Sequence, residues 1–252
     1  VPKHTTKRGG KVTVEEFGCG HYGCVMPTDD PEVVCKITSD AAEAVFVAAA
    51  LSLGSFPEGI VKYFGVFELP GEHRKRKTFI LWREAATSVG LRTDSDYDTY
   101  ATNNLRRFLY LFKNCASAAR DSLKNANDVA AMLASAKAQS DWAWEQSRKI
   151  DLNRDEGASA IDSFLSYIRG AGRVAFALTM CDVIAETMEN TDGCELVGDA
   201  LRHYLTEGIL LADVHGGNVG KVKRTSGYII TDPGHAVGLE ERWRAVSVPA
   251  LP

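Results

Sequence analysis

The chain has no apolar run near the roughly 18 residues that a membrane-spanning helix needs. Its longest, Ala44 to Leu51, is short and alanine-rich and suits a buried helix instead. It has no C-x-x-C pair and no Cys/His cluster at zinc spacing; its six cysteines are scattered at positions 19, 24, 35, 115, 181 and 194. That scatter predicts free thiols in a reducing compartment. The N-terminal stretch shows no charged, apolar and cleavage-site succession of a secretory signal. Basic charge is not in excess either, since the net charge is -4, which argues against a broad nucleic-acid surface. The one basic run, His73 to Lys77, reads as a solvated turn between two strands. No internal repeat is visible. These absences set aside membrane proteins, zinc modules and nucleic-acid binders, and predict a cytoplasmic protein.

What is present is enough apolar residue, 45% of 252, for one domain of two lobes or two small domains. Residues 1–10 read as a loosely attached polar arm. Lys11 to Phe17 and Cys24 to Met26 read as a hairpin, with strands following at Glu32 to Thr38, Ile60 to Leu69 and Thr78 to Glu84. A helix is expected from Ala41 to about Leu53, with Asp40 as its cap, Glu43 three residues later as in a capping box, and Gly54 as its stop. From 95 to 190 apolar residues recur only at helical spacing, as in Leu105, Phe108, Leu109 and Phe112. A break is expected over Asn153 to Gly157. A further amphipathic helix runs from Glu195 to Leu205. The fold class is therefore α+β: a small antiparallel five-stranded sheet with one helix over residues 1–85, and a mainly helical part over 86–252.

Two stretches carry chemistry. Gly18-Cys19-Gly20-His21-Tyr22-Gly23-Cys24-Val25 matches G-x-G-x-x-G-x-V. That pattern also opens the helix of dinucleotide-binding folds. Here Met26-Pro27-Thr28-Asp29-Asp30-Pro31 follows, which cannot continue a helix, so a hairpin is expected. Lys36 comes next, on a strand. Near the other end, Gly208 to Asn218 holds Asp213, His215 and Asn218, and Tyr228 to Gly234 holds Asp232. A strand at Val219 to Val222, a turn at Lys223 to Gly227 and a strand at Tyr228 to Ile230 would bring Asn218 and Asp232 side by side. Three oxygen-bearing side chains, one beside a substrate hydroxyl and two beside a metal, are what phosphoryl transfer from Mg·ATP requires.

Five pieces in this order resemble the protein-kinase-like superfamily. The resemblance implies a two-lobed fold with ATP and magnesium between the lobes. Gly18, Gly20, Gly23 and Val25 would cover the nucleotide, Lys36 would hold the α- and β-phosphates and pair with Glu43, and Glu84 would mark the hinge. Asp213 would be the catalytic base, and Asn218 and Asp232 the magnesium ligands. Glu43 could equally be consumed by its capping box.

The sequence also departs from the family. Leu211 replaces the His of H-R-D, Pro233 replaces the Phe of D-F-G, and His215 stands two residues after the base, where protein kinases usually carry lysine and antibiotic phosphotransferases usually carry histidine; a catalytic His215 would carry a proton or contact the γ-phosphate, and the alternative is that it orients the loop. Only 20 residues follow Asp232. A truncated C-terminal part is therefore expected, with helices inserted before the catalytic loop taking its place. The function implied is an ATP- and Mg-dependent protein Ser/Thr kinase of minimal type, resembling bacterial effector, toxin or phage kinases. The alternatives are a small-molecule kinase, a pseudokinase that binds nucleotide without turnover, and an AMP-transferring enzyme.

Overall fold

The computed structural model describes residues 18–19, 23–54, 56–71, 77–88 and 100–251. The expected strand at 11–17, Gly20, the N-terminal arm and most of the basic run lie outside them. The N-terminal sheet contains β1 (Gly18–Cys19), β2 (Gly23–Pro27), β3 (Val33–Thr38), β4 (Tyr63–Glu68) and β5 (Phe79–Glu84), in the order β1-β2-β3-β5-β4. Every pairing is antiparallel. The β2–β3 turn is held by Thr28, whose hydroxyl meets the carbonyls of Asp30 and Val33, and by Asp30, whose carboxylate accepts the Glu32 N–H.

Between β3 and β4 runs α1 (Ala41–Leu53). Asp40 caps it by accepting the N–H groups of Ala42 and Glu43, and Gly54 ends it at φ 70°, as the sequence requires. Its buried face, led by Phe46 and Val47, packs on β4.

The chain then becomes helical. After β6 (Thr87–Ser88) come α2 (Tyr100–Lys124), α3 (Val129–Lys137), α4 (Ser140–Ser147), α5 (Asp155–Tyr167), α6 (Gly170–Glu189) and α7 (Glu195–Thr206). Buried residues from Val174 to Met188 lie around most of α6, which packs against α2, α3, α4 and α7. Such a helix is apolar nearly all round because it is the centre of a bundle. The sequence placed the start of α5 too late: Asp155 to Gly157, expected as a break, are its first turn.

Past α7 come β7 (Ile209–Leu211), a single 3-10 turn at Gly216–Asn218, β8 (Val219–Lys221), β9 (Ile229–Ile230), β10 (Ala236–Gly238) and α8 (Glu241–Arg244). β8 pairs with β6 and β9, and β7 pairs with β10, all antiparallel. The β8–β9 hairpin was legible in the sequence; β6, β7 and β10 were not.

The N-terminal sheet is stitched to this last segment. Ile230 donates its N–H to the Gly59 carbonyl and accepts from Val61 N–H, at 2.8 and 3.0 Å. Arg224, in the β8–β9 turn, holds both Glu84 oxygens through Nε at 3.1 Å and donates to the carbonyls of Glu58 and Ile60. One hydrophobic core is continuous across the join, with the Phe46 and Tyr204 rings 5.0 Å apart.

Among the described residues no helix is long and apolar enough to cross a membrane. Cys35, Cys115, Cys181 and Cys194 are free thiols, as expected. Cys24 is not: it is disulfide-bonded. The backbone register places it opposite Cys19, its Cα partner across the β1–β2 hairpin. Positions five apart in sequence, which looked unrelated as a spacing, become neighbours once the chain folds back.

Candidate active site

Lys36, on β3, is the centre of a buried charge cluster. Its ammonium lies 2.7 Å from Glu43 Oε1 and 2.7 Å from Asp232 Oδ2, with only 10% of the side chain exposed. Glu43, on the first turn of α1, therefore gives its carboxylate to Lys36, and the cap of that helix comes from Asp40. Burial lowers the affinity of the Lys36 ammonium for its proton, but the two carboxylates outweigh burial and leave its pKa above the ordinary lysine value. Burial and the Asp232 charge push Glu43 up to about 7 against the pull of Lys36. Burial also pushes Asp232 upward, yet Lys36, the Gly234 N–H and the charge of Arg83 win, and its carboxyl lies below the usual value.

The Gly-rich hairpin lies beside this lysine: Val25 is the register partner of Lys36, and Gly23 that of Thr38. A Cβ on Gly23 would fall 2.3 Å from the Ile37 carbonyl oxygen, so the pairing of β2 with β3 requires glycine there. Gly18 pairs with Val25, and Gly20 lies outside the described residues.

The last third of the chain brings the other residues to the same place. β7 and β10 align Leu211 with Ala236, and Ala212 N–H continues the ladder to the His235 carbonyl. Asp213 thus emerges next to the segment that carries Asp232. Asn218 Nδ2 donates to the Asp213 carbonyl at 2.8 Å, and the Asn218 carbonyl accepts from Thr231 and Asp232 N–H at 2.7 and 3.3 Å. Gly234 closes the arrangement. Its φ is +63°, its N–H donates to Asp232 Oδ1, and a Cβ there would fall 2.5 Å from the Asp213 Cβ. Only glycine fits so tightly between the two aspartates.

One of the expected residues orients its loop, a role the sequence left open, and another has a partner the sequence did not reveal. His215 Nδ1 accepts the Gly217 N–H at 3.0 Å and caps the 3-10 turn that delivers Asn218. Protonating that nitrogen would break the cap. The carboxylate of Glu84, the residue expected to mark the hinge, is held by Arg224. The neighbouring N–H groups of Glu84 and Ala85 donate to Lys62 and Glu32 carbonyls.

One residue escaped the sequence reading, and another was read only as a marker of the hinge. Lys113, on α2, places its ammonium 2.9 Å from Asp213 Oδ1. Arg83, on β5, is buried, and its charge acts on Asp232. Neither carries a local signal, since each is one residue of a regular element whose pattern is explained by its apolar neighbours.

Among the described residues no group of three or more His, Cys, Asp or Glu could hold a metal unaided. Magnesium does not need one: it takes one or two protein carboxylates and fills its octahedron with phosphates and water. Asn218 and Asp232 supply hard oxygen donors of that kind on adjoining backbone, and the depressed Asp232 pKa keeps that donor ionised. The residues therefore fit magnesium. No family model matches the chain, and neither the curated proteins nor the solved structures contain a match.

Proposed function

We propose that this protein is an ATP- and magnesium-dependent phosphotransferase of protein-kinase-like, two-lobed architecture, acting on a protein Ser/Thr hydroxyl. The observation that carries the reading is Lys36 held 2.7 Å from both Glu43 and Asp232, with Asn218 bonded to the Asp213 loop. A buried ammonium fixed by one structural and one metal-binding carboxylate is prepared to receive phosphate.

In this reading Asn218 and Asp232 would hold magnesium, which would supply countercharge to the phosphates. Lys36 orients the α- and β-phosphates, and the Gly18–Gly23 hairpin excludes water from above. Asp213 accepts the hydroxyl proton as the acceptor oxygen bonds to the γ-phosphorus; the bond to the β–γ bridging oxygen breaks, and ADP leaves with that electron pair.

Lys113 favours the protein-kinase form over a small-molecule kinase. Protein kinases usually carry a lysine two residues after the base, here Asp213; His215, the residue type of antibiotic phosphotransferases, stands there and spends its Nδ1 on a cap. Lys113 brings an ammonium to the same carboxylate from α2.

Incubation with γ-labelled and α-labelled ATP in separate reactions, with and without cell lysate, tests the proposal. Label from the γ-position should appear on protein and disappear in Asp213→Ala, which keeps its affinity for Mg·ATP. Transfer of the α-label would replace kinase chemistry by AMP transfer. Nucleotide binding with no transfer to any acceptor would make the protein a pseudokinase.

A further inference from the structure

Arg83 is the least satisfied charge in the cleft. It is 8% exposed, and its Nε and Nη1 have no hydrogen-bond partner among the described residues. Arginine cannot shed its proton to escape such a place. A buried charge without hydrogen bonds is costly, so an acceptor is required.

The strand geometry fixes which way it faces. On β5 the residues Phe79, Leu81 and Arg83 share one side, and Leu81 is the register partner of Lys36 while Arg83 pairs with Val34. Arg83 therefore projects to the same side as Lys36, two residues nearer the Glu84 end. Its charge acts on Asp232, yet no carboxylate oxygen nearby bonds its Nε or Nη1. Asp232 Oδ2 meets Lys36, Asp232 Oδ1 accepts from Gly234, and Glu43 Oε1 meets Lys36. The Tyr63 hydroxyl, from the residue that pairs with Arg83 on β4, and the Tyr204 hydroxyl are likewise buried without a partner.

We propose that Arg83 is a second cationic contact for the polyphosphate of the bound nucleotide, beside Lys36. It has this role only if the cleft takes a nucleotide, as proposed above. A neutral base edge would offer hydrogen bonds but no countercharge. A phosphate offers both, and charge-assisted bonds from guanidinium to phosphate are the strong kind.

Calorimetric titration of wild type, Arg83→Met and Arg83→Lys with Mg·ATP, with magnesium tripolyphosphate and with adenosine tests this, together with ligand-free melting. Arg83→Met should lose tenfold or more in affinity for ATP and for tripolyphosphate alike. Arg83→Lys should recover part of that loss, adenosine binding should not change, and the ligand-free melting temperature should not fall. Should Arg83→Met fail to fold, Arg83→Gln carries the same comparison.

Unchanged ATP affinity with a lowered melting temperature would overturn the proposal and make Arg83 an internal counter-ion. A loss for ATP and adenosine that spares tripolyphosphate would also overturn it, and assign Arg83 to the base. A wild type that binds no ATP, or a Lys36→Met variant that binds it normally, would remove the nucleotide reading itself and this role with it.

Discussion

Lys36 and Lys113 each hold an aspartate of the same site, but they do so in different surroundings. Lys36 is 10% exposed and serves two carboxylates, Glu43 at 2% and Asp232 at 34%. Lys113 is 38% exposed and serves one carboxylate that is itself 28% exposed. The Lys36–Glu43 pair lies in a low-dielectric interior where a lost partner cannot be replaced by water. The second lies at the cleft mouth, where water and salt compete for both ions. The contrast, which lies in the two lysines and in Glu43, suits the proposed roles: a fixed ammonium for phosphates at the dry end, and at the wet end a looser lysine beside the aspartate that takes the incoming hydroxyl.

Removing the dry lysine should have the largest effect. Lys36→Met leaves Glu43 and Asp232 facing each other in the interior, and should cost about 3–5 kcal/mol of stability. Chemical denaturation should show the loss growing as pH rises. Adding Glu43→Gln should restore part of it. If Lys36→Met costs no more than Lys113→Met, the division into dry and wet ends is wrong.

The pH dependence sharpens the same point. Glu43 is raised to about 7 in the folded protein, above its value in the unfolded chain. Between pH 4.5 and 7 the folded state holds a proton that the unfolded state releases. This group therefore lowers stability progressively as pH rises through that window, by up to about 3 kcal/mol. Asp232, held below its usual value, acts oppositely: its contribution is present above the unfolded pKa and is lost as pH falls through the folded one. Glu43→Gln should flatten the decline between pH 4.5 and 7, as followed by urea denaturation at a series of pH values.

Gly234 joins the two ends, bonding Asp232 while packing on Asp213. Gly234→Ala combines a left-handed backbone with a Cβ against Asp213, and should cost about 1–3 kcal/mol. Turnover should fall more than nucleotide affinity, because Asp213 is the residue displaced. Equal losses in both would mean that Asp232 moves as well.

Lys113→Met should be the mildest change, costing at most about 1 kcal/mol. The difference from wild type should shrink further in high salt. Its signature should instead be kinetic, with kcat reduced, the KM for ATP unchanged, and partial rescue in Lys113→Arg.

The sequence was most legible where function compresses chemistry into a short segment. Lys36, Asp40 and Glu43 could be read together because a strand, a cap and the first helical turn occupy eight consecutive positions. Asp213, Asn218 and Asp232 could be read because a hairpin between them has obvious turn residues. Arg83 and Lys113 reach the site across the fold, the latter from a helix 100 positions upstream of its partner. Their neighbours show only ordinary strand and helix patterns. β7 and β10 are three residues each, too short for alternation to register, yet their pairing sets Asp213 beside Asp232. Glu84 was placed correctly at the end of its strand, but its partner Arg224 lies 140 positions away.

The Arg224 clasp has a consequence for how the molecule comes apart. The end of β5, the carbonyls of Glu58 and Ile60, and the ladder from Gly59 to Ile230 tie the sheet to the final third of the chain. Neither part can lose its structure while the other keeps a complete set of bonds. Heating should therefore give one calorimetric transition, with agreement between van't Hoff and calorimetric enthalpies. Arg224→Ala should split that transition in two. Amide exchange in β4 and β5 would then run ahead of exchange in α6, which retains its own partners on α2 and α7.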